Sequence, residues 1–357
     1  MAIIDHNSRG RLIRDLSISL VIYSLPVVAI FLYFKFTNDL ITESHLTLPT
    51  FLEFSKPAFE HIRTWGLTVF MLVLGVIEFT AGLYDDDWTG EERKVDIVCF
   101  LAPKLLLPPV IAFFSLTALP YLIPNLANSL SWVPFWGGFF LIAIADDLTQ
   151  YWYHRLHHQV PFLWRFHRTH HSAPYMGMAM ASRQNFIYTV FFSQIYLTAT
   201  LTYLGLGLPA LFVLVIKSFI TLGAHSSLAW DKPFYKYKVL HPIAWVLERL
   251  ISTPATHHAH HADTSGDGVG HFKGNFGNMF FIWDVIFGTG LITRKFPESY
   301  GTKSYKQEEW YAQFLWPIFK SKKEGSPLAE GVIAFPLKTK PVKITEPTPV
   351  YYEQAQS

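Results

Sequence analysis

Three histidine runs carry the chemistry open to this chain: His154-Arg-Leu-His157-His158, His167-Arg-Thr-His170-His171 and His257-His258-Ala-His260-His261. They hold 10 of its 16 histidines. On a helix, residues three and four apart share a face, so His154 and His158 can point at one ion. The sets His167, His170, His171 and His257, His260, His261 are two copies of one H-x-x-H-H pattern, each able to present three imidazoles to one side. Eight converging imidazoles exceed what one ion takes, which predicts a pair of metals. Neutral imidazole suits iron, zinc, copper and nickel, so the runs alone do not choose among them. His157 and His258 fall off the shared faces and are expected to support the site or face solvent. A lone histidine is more often a satisfied core residue; three matched runs are not.

An all-imidazole site makes a poor structural staple, for which closed Cys-rich tetrahedra are the usual solution. It suits a redox metal that keeps open positions. A ligating histidine usually donates its other ring N–H to a carboxylate or carbonyl. Asp147, seven residues before His154 and so two turns along the same face, is the expected partner; its neighbour Asp146 is expected to be a cap or surface carboxylate. Glu78 sits inside an apolar run, which makes it a suspect by position for orienting substrate or pairing with another polar group. Arg155 and Arg168 follow box histidines and are expected to pair with carboxylates or to reach lipid headgroups.

The elements that must position these residues are membrane spans. Half of the 357 residues are hydrophobic, 17 % are aromatic and only 16 % are charged, against about a quarter charged in soluble proteins. Leu16–Phe34 is one apolar run, Thr64–Ile77 a second, Leu105–Ile123 a third, and Trp132–Ala145 a fourth that leads into the first histidine run. Phe186–Leu222 carries Lys217 as its only charge and is broken by Gly205-Leu-Gly207-Leu-Pro209, so it reads as a helical hairpin. The N-terminal run is long enough to remain as a span rather than a cleaved signal. Arg9, Arg11 and Arg14 precede it, which places the N-terminus in the cytoplasm by the positive-inside rule. Alternate crossings then make Asp85–Asp96 a cytoplasmic loop and bring all three histidine runs and His225 to the cytoplasmic face. One cysteine, Cys99, excludes an intrachain disulfide, and a net charge of +2 carries no message about nucleic acid. Tyr305–Lys320 reads either as an interfacial amphipathic segment or as a packed cap, and the chain from Glu324 as an irregular tail.

Around the histidines stands a longer signature. Asp147-Leu-Thr-Gln-Tyr151-Trp152 leads into the first two runs. Ala181-Ser-Arg183-Gln184 follows them, and Thr253-Pro254, Asn275-Phe-Gly277 and Trp283-Asp284-Val-Ile-Phe287-Gly288-Thr289 frame the third. Phe139 to Thr289 thereby resembles the fatty acid hydroxylase/sterol desaturase superfamily of membrane histidine-box di-iron enzymes. Ala181-Ser-Arg183-Gln184 and the closing Trp283-Asp284…Phe287-Gly288-Thr289 look most like the alkylglycerol monooxygenase and bacterial sterol-desaturase-like branch. The resemblance implies two iron ions, O₂ as co-substrate and removal of hydrogen from an unactivated C–H bond of a membrane lipid, giving an alcohol or an alkene. It implies metal ligands at His154, His158, His167, His170, His171, His257, His260 and His261, with His225 as the surviving member of an intermediate pair and hence a ninth. Asp284 and Asn275 join Asp147 as expected supports of the ligands. The sequence contains no haem module of the cytochrome b5 kind, so electrons are expected from a separate cytochrome b5-, ferredoxin- or flavoprotein-type partner. An extra His271 between His261 and Asn275 departs from the pattern.

The expected architecture is an all-α integral membrane protein with about four to six transmembrane helices or half-spans and a cytoplasmic histidine-rich catalytic cap. Residues 1–131 are read as N-terminal transmembrane helices, 132–291 as the catalytic domain and 292–357 as an interfacial segment and tail. The expected function is that of an O₂-dependent di-iron lipid oxidoreductase acting on a sterol, fatty acyl or ether lipid. A di-zinc membrane hydrolase is the alternative, disfavoured because the runs contain no carboxylate of the kind that bridges hydrolytic metals. A metal transporter would line its ligands through the spans, whereas these gather on one side.

Overall fold

In the computed structural model, residues 88–302 and 307–330 are described, with Val73, 75–78 and Thr80 of a helix ahead of them. The expected span Leu16–Phe34, the N-terminal arginines and the tail beyond 330 lie outside the described residues, as does most of Thr64–Ile77. Among the described residues the secondary structure is helical, with one isolated β-bridge between Ala262 and Tyr300. Two helical segments, Gly90–Leu122 and Phe186–His225, are long and apolar enough to cross a membrane.

The first of these is α1, Gly90–Phe113, extended through a π-turn at Phe114–Ala118 to Leu122. Only 6 % of its most apolar window is buried inside the protein, so its hydrophobic surface faces outward, as a lipid-facing helix requires. The loop expected over Asp85–Asp96 is shorter than anticipated. Gly90 already opens the helix, because Glu92 and Asp96 are buried partners of Arg183 rather than solvated loop residues.

α2, Phe135–Gln159, takes in Phe135–Ala145 of the expected fourth apolar run and continues without a break into the first histidine run; it is not one of the two segments long and apolar enough to cross a membrane. Pro161 ends it: the residue before a proline is driven out of the α region, and Val160 is extended. The same proline occupies the first turn of α3, Pro161–His171, where its missing N–H costs nothing. One proline elbow thus sets the first two histidine runs on helices that pack against each other.

The hairpin expected over Phe186–Leu222 is present. It comprises α4, Phe186–Val190, α5, Ser193–Leu201, a π-turn at Thr202–Leu206 and α6, Gly207–His225. The reversal falls at Gly205, whose φ of 107° only glycine adopts readily. A Cβ there would lie 2.9 Å from the Ser131 backbone nitrogen. Both legs flank α2. Tyr188 lies against His157, Phe192 against Tyr153, and Thr198 bonds Asp146, so the outgoing leg runs antiparallel to α2. Gly138 meets Pro209 and Asp146 pairs with Lys217, so α6 runs parallel to it.

Short helices α7, Lys232–Lys236, and α8, His241–Leu250, lead to α9, Pro254–His260, which carries the third histidine run. Thr253 and Thr256 cap α9 reciprocally, and Pro254 sits in its first turn. α10, Ile282–Ile286, follows a loop that folds back over the site. Of the two readings left open for Tyr305–Lys320, the packing follows the cap. Helix α11, Trp310–Leu315, buries Ala312 and Phe314 against Phe166 and Tyr188 of α3 and α4 and Val95 and Cys99 of α1.

Candidate metal centre

Nine imidazoles converge in two groups at the ends of α2, α3, α6 and α9. His154, His158, His167, His171 and His260 form one; His170, His225, His257 and His261 form the other. Within each group the ligand nitrogens all lie within 4.8 Å of one another, and all nine rings are buried. These are the nine positions expected from the sequence, but they are distributed differently. Each H-x-x-H-H run divides its imidazoles instead of offering three to one side. From α3, His167 and His171 enter the first group and His170 the second; from α9, His257 and His261 enter the second and His260 the first. Helix geometry explains the split, since adjacent residues point about 100° apart while i and i+4 nearly align.

The backbone holds the rings. His154 Nδ1–H donates to the Phe276 carbonyl (2.8 Å), His170 to Arg183 (3.0 Å), His225 to Thr221 (2.7 Å) and His260 to Gly274 (2.7 Å). A carbonyl can only accept, so in these four rings Nδ1 carries the proton and Nε2 keeps its lone pair. Those Nε2 atoms face other ring nitrogens: His154 meets His260 at 3.0 Å, His170 meets His225 at 3.3 Å, and His225 meets His257 Nε2 at 2.9 Å. Such separations match the edges of a coordination shell whose metal–nitrogen bonds are about 2.1 Å.

The remaining donors support the same reading. His158 Nε2, both nitrogens of His167, His171 Nε2, His257 Nδ1 and His261 Nε2 are buried with no hydrogen-bond partner. Orphaned nitrogens in such number are costly unless something fills the site. Burial first, and the neighbouring imidazoles second, hold His167, His171, His257 and His261 well below the ordinary histidine range. They are therefore neutral donors at physiological pH. Neither group contains a carboxylate or thiolate. Five imidazoles in one group also exceed the four ligands that a closed zinc site takes. Each of the two groups could hold a metal ion.

His157 and His258 stand outside both groups, as expected, though both are buried rather than solvent-facing. His157 Nδ1 bonds the Tyr153 carbonyl, and His258 bonds Tyr300 Oη and the Ser226 carbonyl. His271 also stays outside and contacts the Thr289 carbonyl.

The expected carboxylate partners of the imidazoles are corrected by the structure. Asp147 bonds no imidazole; it accepts the backbone N–H groups of Met279 and Phe280 and the indole N–H of Trp283. Asp284 accepts the N–H groups of Phe276 and Gly277 and the Thr289 hydroxyl, and burial pushes its carboxyl up to about 6. Both carboxylates hold the loop that presents the Phe276 carbonyl to His154. Gly277 lets the loop pass close: a Cβ there would lie 2.5 Å from the Phe280 carbonyl oxygen and 2.9 Å from Asp284. Asn275 adopts φ 56°, a left-handed conformation asparagine tolerates. Its side chain ties Thr256 of α9 to Leu291. All three support the ligands one step removed, because peptide carbonyls satisfy the ring N–H groups first.

Asp146 is no surface carboxylate: it forms a buried ion pair with Lys217 and accepts the Thr198 hydroxyl. Glu78 accepts from Met178 N–H, Ser226 Oγ and Ser227 N–H, which holds the turn just after His225. Arg168 pairs with Glu308 at 2.7 Å, whereas Arg155 bonds Tyr151 Oη and stacks on Trp152. Arg183, quoted only as part of a motif, proves central. Fully buried, it pairs with Glu92, bonds Ser172, Gln313 and the Thr169 carbonyl, and its own carbonyl holds His170. A charged residue in the stretch after the second run was the available signal for it.

Residues 139–289 match the family model for fatty acid hydroxylase. Over these residues the chain carries a fatty acid hydroxylase domain, which supports membership in the fatty acid hydroxylase/sterol desaturase superfamily. No curated protein and no solved structure matches it significantly. Membership implies an oxidoreductase of the lipid hydroxylase or desaturase type, and the two histidine groups are compatible with metal binding.

Proposed function

We propose that this protein is an O₂-dependent lipid oxidoreductase whose nine imidazoles hold two iron ions. The observation that carries the reading is the pair of abutting, carboxylate-free imidazole groups at the ends of apolar helices. Bound iron supplies the power to oxidise an unactivated C–H bond with O₂. The chain's own residues do the rest. Carbonyls of Phe276, Arg183, Thr221 and Gly274 hold the ring protons on Nδ1 and keep Nε2 aimed inward. Burial of every ring excludes water from the reacting atoms.

In hydroxylation one oxygen atom enters the product and the other leaves as water, so two electrons and two protons must be supplied. A separate redox protein is proposed as the electron donor. The substrate is a membrane lipid, reached from the bilayer, and the multi-pass arrangement with the histidines on the cytoplasmic face belongs to this proposal. Turnover of a membrane lipid extract under air and under argon tests it, with ¹⁸O₂ to follow the label. Label in an alcohol indicates hydroxylation, and an unlabelled alkene indicates desaturation. Undiminished turnover under argon overturns the reading.

A further inference from the structure

The two helix registers that surround α2 stack its polar residues into layers. Asp146, Thr198 and Lys217 form one layer, joined by the buried ion pair and the Thr198 hydroxyl. One turn further along, the antiparallel register of α5 brings Gln194 opposite Gln150, and the parallel register of α6 brings Thr221 alongside. One more turn reaches His154 and His225. The middle layer therefore lies about 6 Å from the histidines and is closed on its other side by the ion pair. Beyond that pair the packing is apolar, built from Ile142, Leu206, Ala210, Val213 and Met279.

This middle layer is unsatisfied. Gln150 is 3 % exposed and Gln194 4 %. Gln150 Oε1, both Oε1 and Nε2 of Gln194 and Thr221 Oγ1 are buried and have no hydrogen-bond partner. Thr198 and Lys217 both bond Asp146, so the layer on that side is satisfied and the deficit at Gln150, Gln194 and Thr221 is their own. Three neighbouring side chains with idle donors and acceptors, beneath a metal centre and among apolar helices, define a site for a small neutral group that both donates and accepts.

We propose that Gln150, Gln194 and Thr221 form a subsite for a hydroxyl group of the lipid substrate. The assignment rests on the lipid-oxidation reading and narrows its substrate class to lipids that carry a free hydroxyl within a few carbons of the position oxidised. The hydroxyl, held one turn from the imidazoles, fixes which carbon lies at the metals, and the reaction falls a few carbons from it. A plain hydrocarbon chain leaves the layer unpaired and is rejected, since an idle buried donor or acceptor penalises the ligand that fails to meet it.

The test uses full-length protein purified from membranes in detergent with the metals it carries. Thermal midpoints are measured with hexadecan-1-ol and with hexadecane. The alcohol should raise the midpoint by ~3 °C more than the alkane. Gln150→Leu/Gln194→Leu should abolish that difference with metal content unchanged. Gln194→Met, which keeps side-chain length, should reduce it by about half or more and serves if the double variant does not fold. Equal shifts from alcohol and alkane, or a difference that survives the substitutions, overturn the subsite and leave the layer to water. Turnover is scored separately. An intact alcohol preference with no O₂-dependent product overturns the oxidase reading and leaves the subsite standing.

Discussion

The rings of His171 and His261 stack face to face, with centroids 4.3 Å apart and planes 15° apart, although each belongs to a different group of donors. His171 comes from the second histidine run and His261 from the third. The contact makes the two groups neighbours across one shared wall. Each ring nevertheless serves its own group.

Removing a donor should therefore have a graded, countable effect. His154→Ala or His260→Ala should lower metal content from about two ions per chain to about one and reduce turnover by ~100-fold or more. His225→Ala and His257→Ala should do the same through the other group. Elemental analysis of purified protein decides, and a variant that keeps two ions and full turnover removes that residue from the ligand set.

The off-group histidines supply the control. His157→Phe and His258→Phe should keep both ions, since each ring bonds backbone or tyrosine oxygen outside the groups. The expected cost is about 1 kcal/mol of stability. A metal loss equal to that of His154→Ala would contradict the partition.

Asp147 and Asp284 should act on the centre only through the loop between them. Asp147→Ala leaves two backbone N–H groups and the Trp283 indole without their acceptor, costing about 2–4 kcal/mol. Asp284→Ala frees the Phe276–Gly277 turn whose carbonyl orients His154. Both variants should weaken metal binding by ~10–100-fold. The loss should fall first on the five-histidine group, which metal titration with spectroscopic readout resolves. Equal weakening of both groups would show that the loop does not act through His154.

Acid should destabilise the metal-free protein. His167, His170, His171, His257, His260 and His261 are held well below 6.5 by burial and by one another. The unfolded chain takes up protons near 6.5, so below that pH it binds more protons than the folded state, and stability falls as pH falls. The thermal midpoint of chelator-treated protein should be ~5 °C or more lower at about pH 5 than at about pH 7.5. A midpoint that stays level or rises on acidification would mean that these rings are charged or exposed.

Arg183→Lys should be far from conservative. The guanidinium meets Glu92, Ser172, Gln313 and the Thr169 carbonyl from several of its nitrogens at once. A single ammonium cannot reproduce that fork. Breaking this buried network should cost about 3–5 kcal/mol and release His170 from the Arg183 carbonyl. Denaturant midpoints and metal content of the variant measure both; an unchanged midpoint would deny Arg183 this role.

By itself the sequence determined the donors and the breaks that frame them. Side-chain type and spacing act locally, so the apolar runs, the Gly205 break and eight of the nine histidines were legible, while His225 came with the family resemblance. His157 and His258 were likewise set apart by helical phase alone. Only the tertiary structure decided how each H-x-x-H-H run divides between two groups, because that depends on what faces the helix from elsewhere. Only the fold could name the acceptors of the ring protons as well. They are carbonyls of Phe276, Arg183, Thr221 and Gly274, and since every residue carries a carbonyl, residue type gives no sign of which will be used. For the same reason Asp147 and Asp284 were recognised as important but assigned the wrong partner. A carboxylate's value in the chain is readable, but the N–H groups it meets are brought to it by contacts more than a hundred residues away in the case of Asp147.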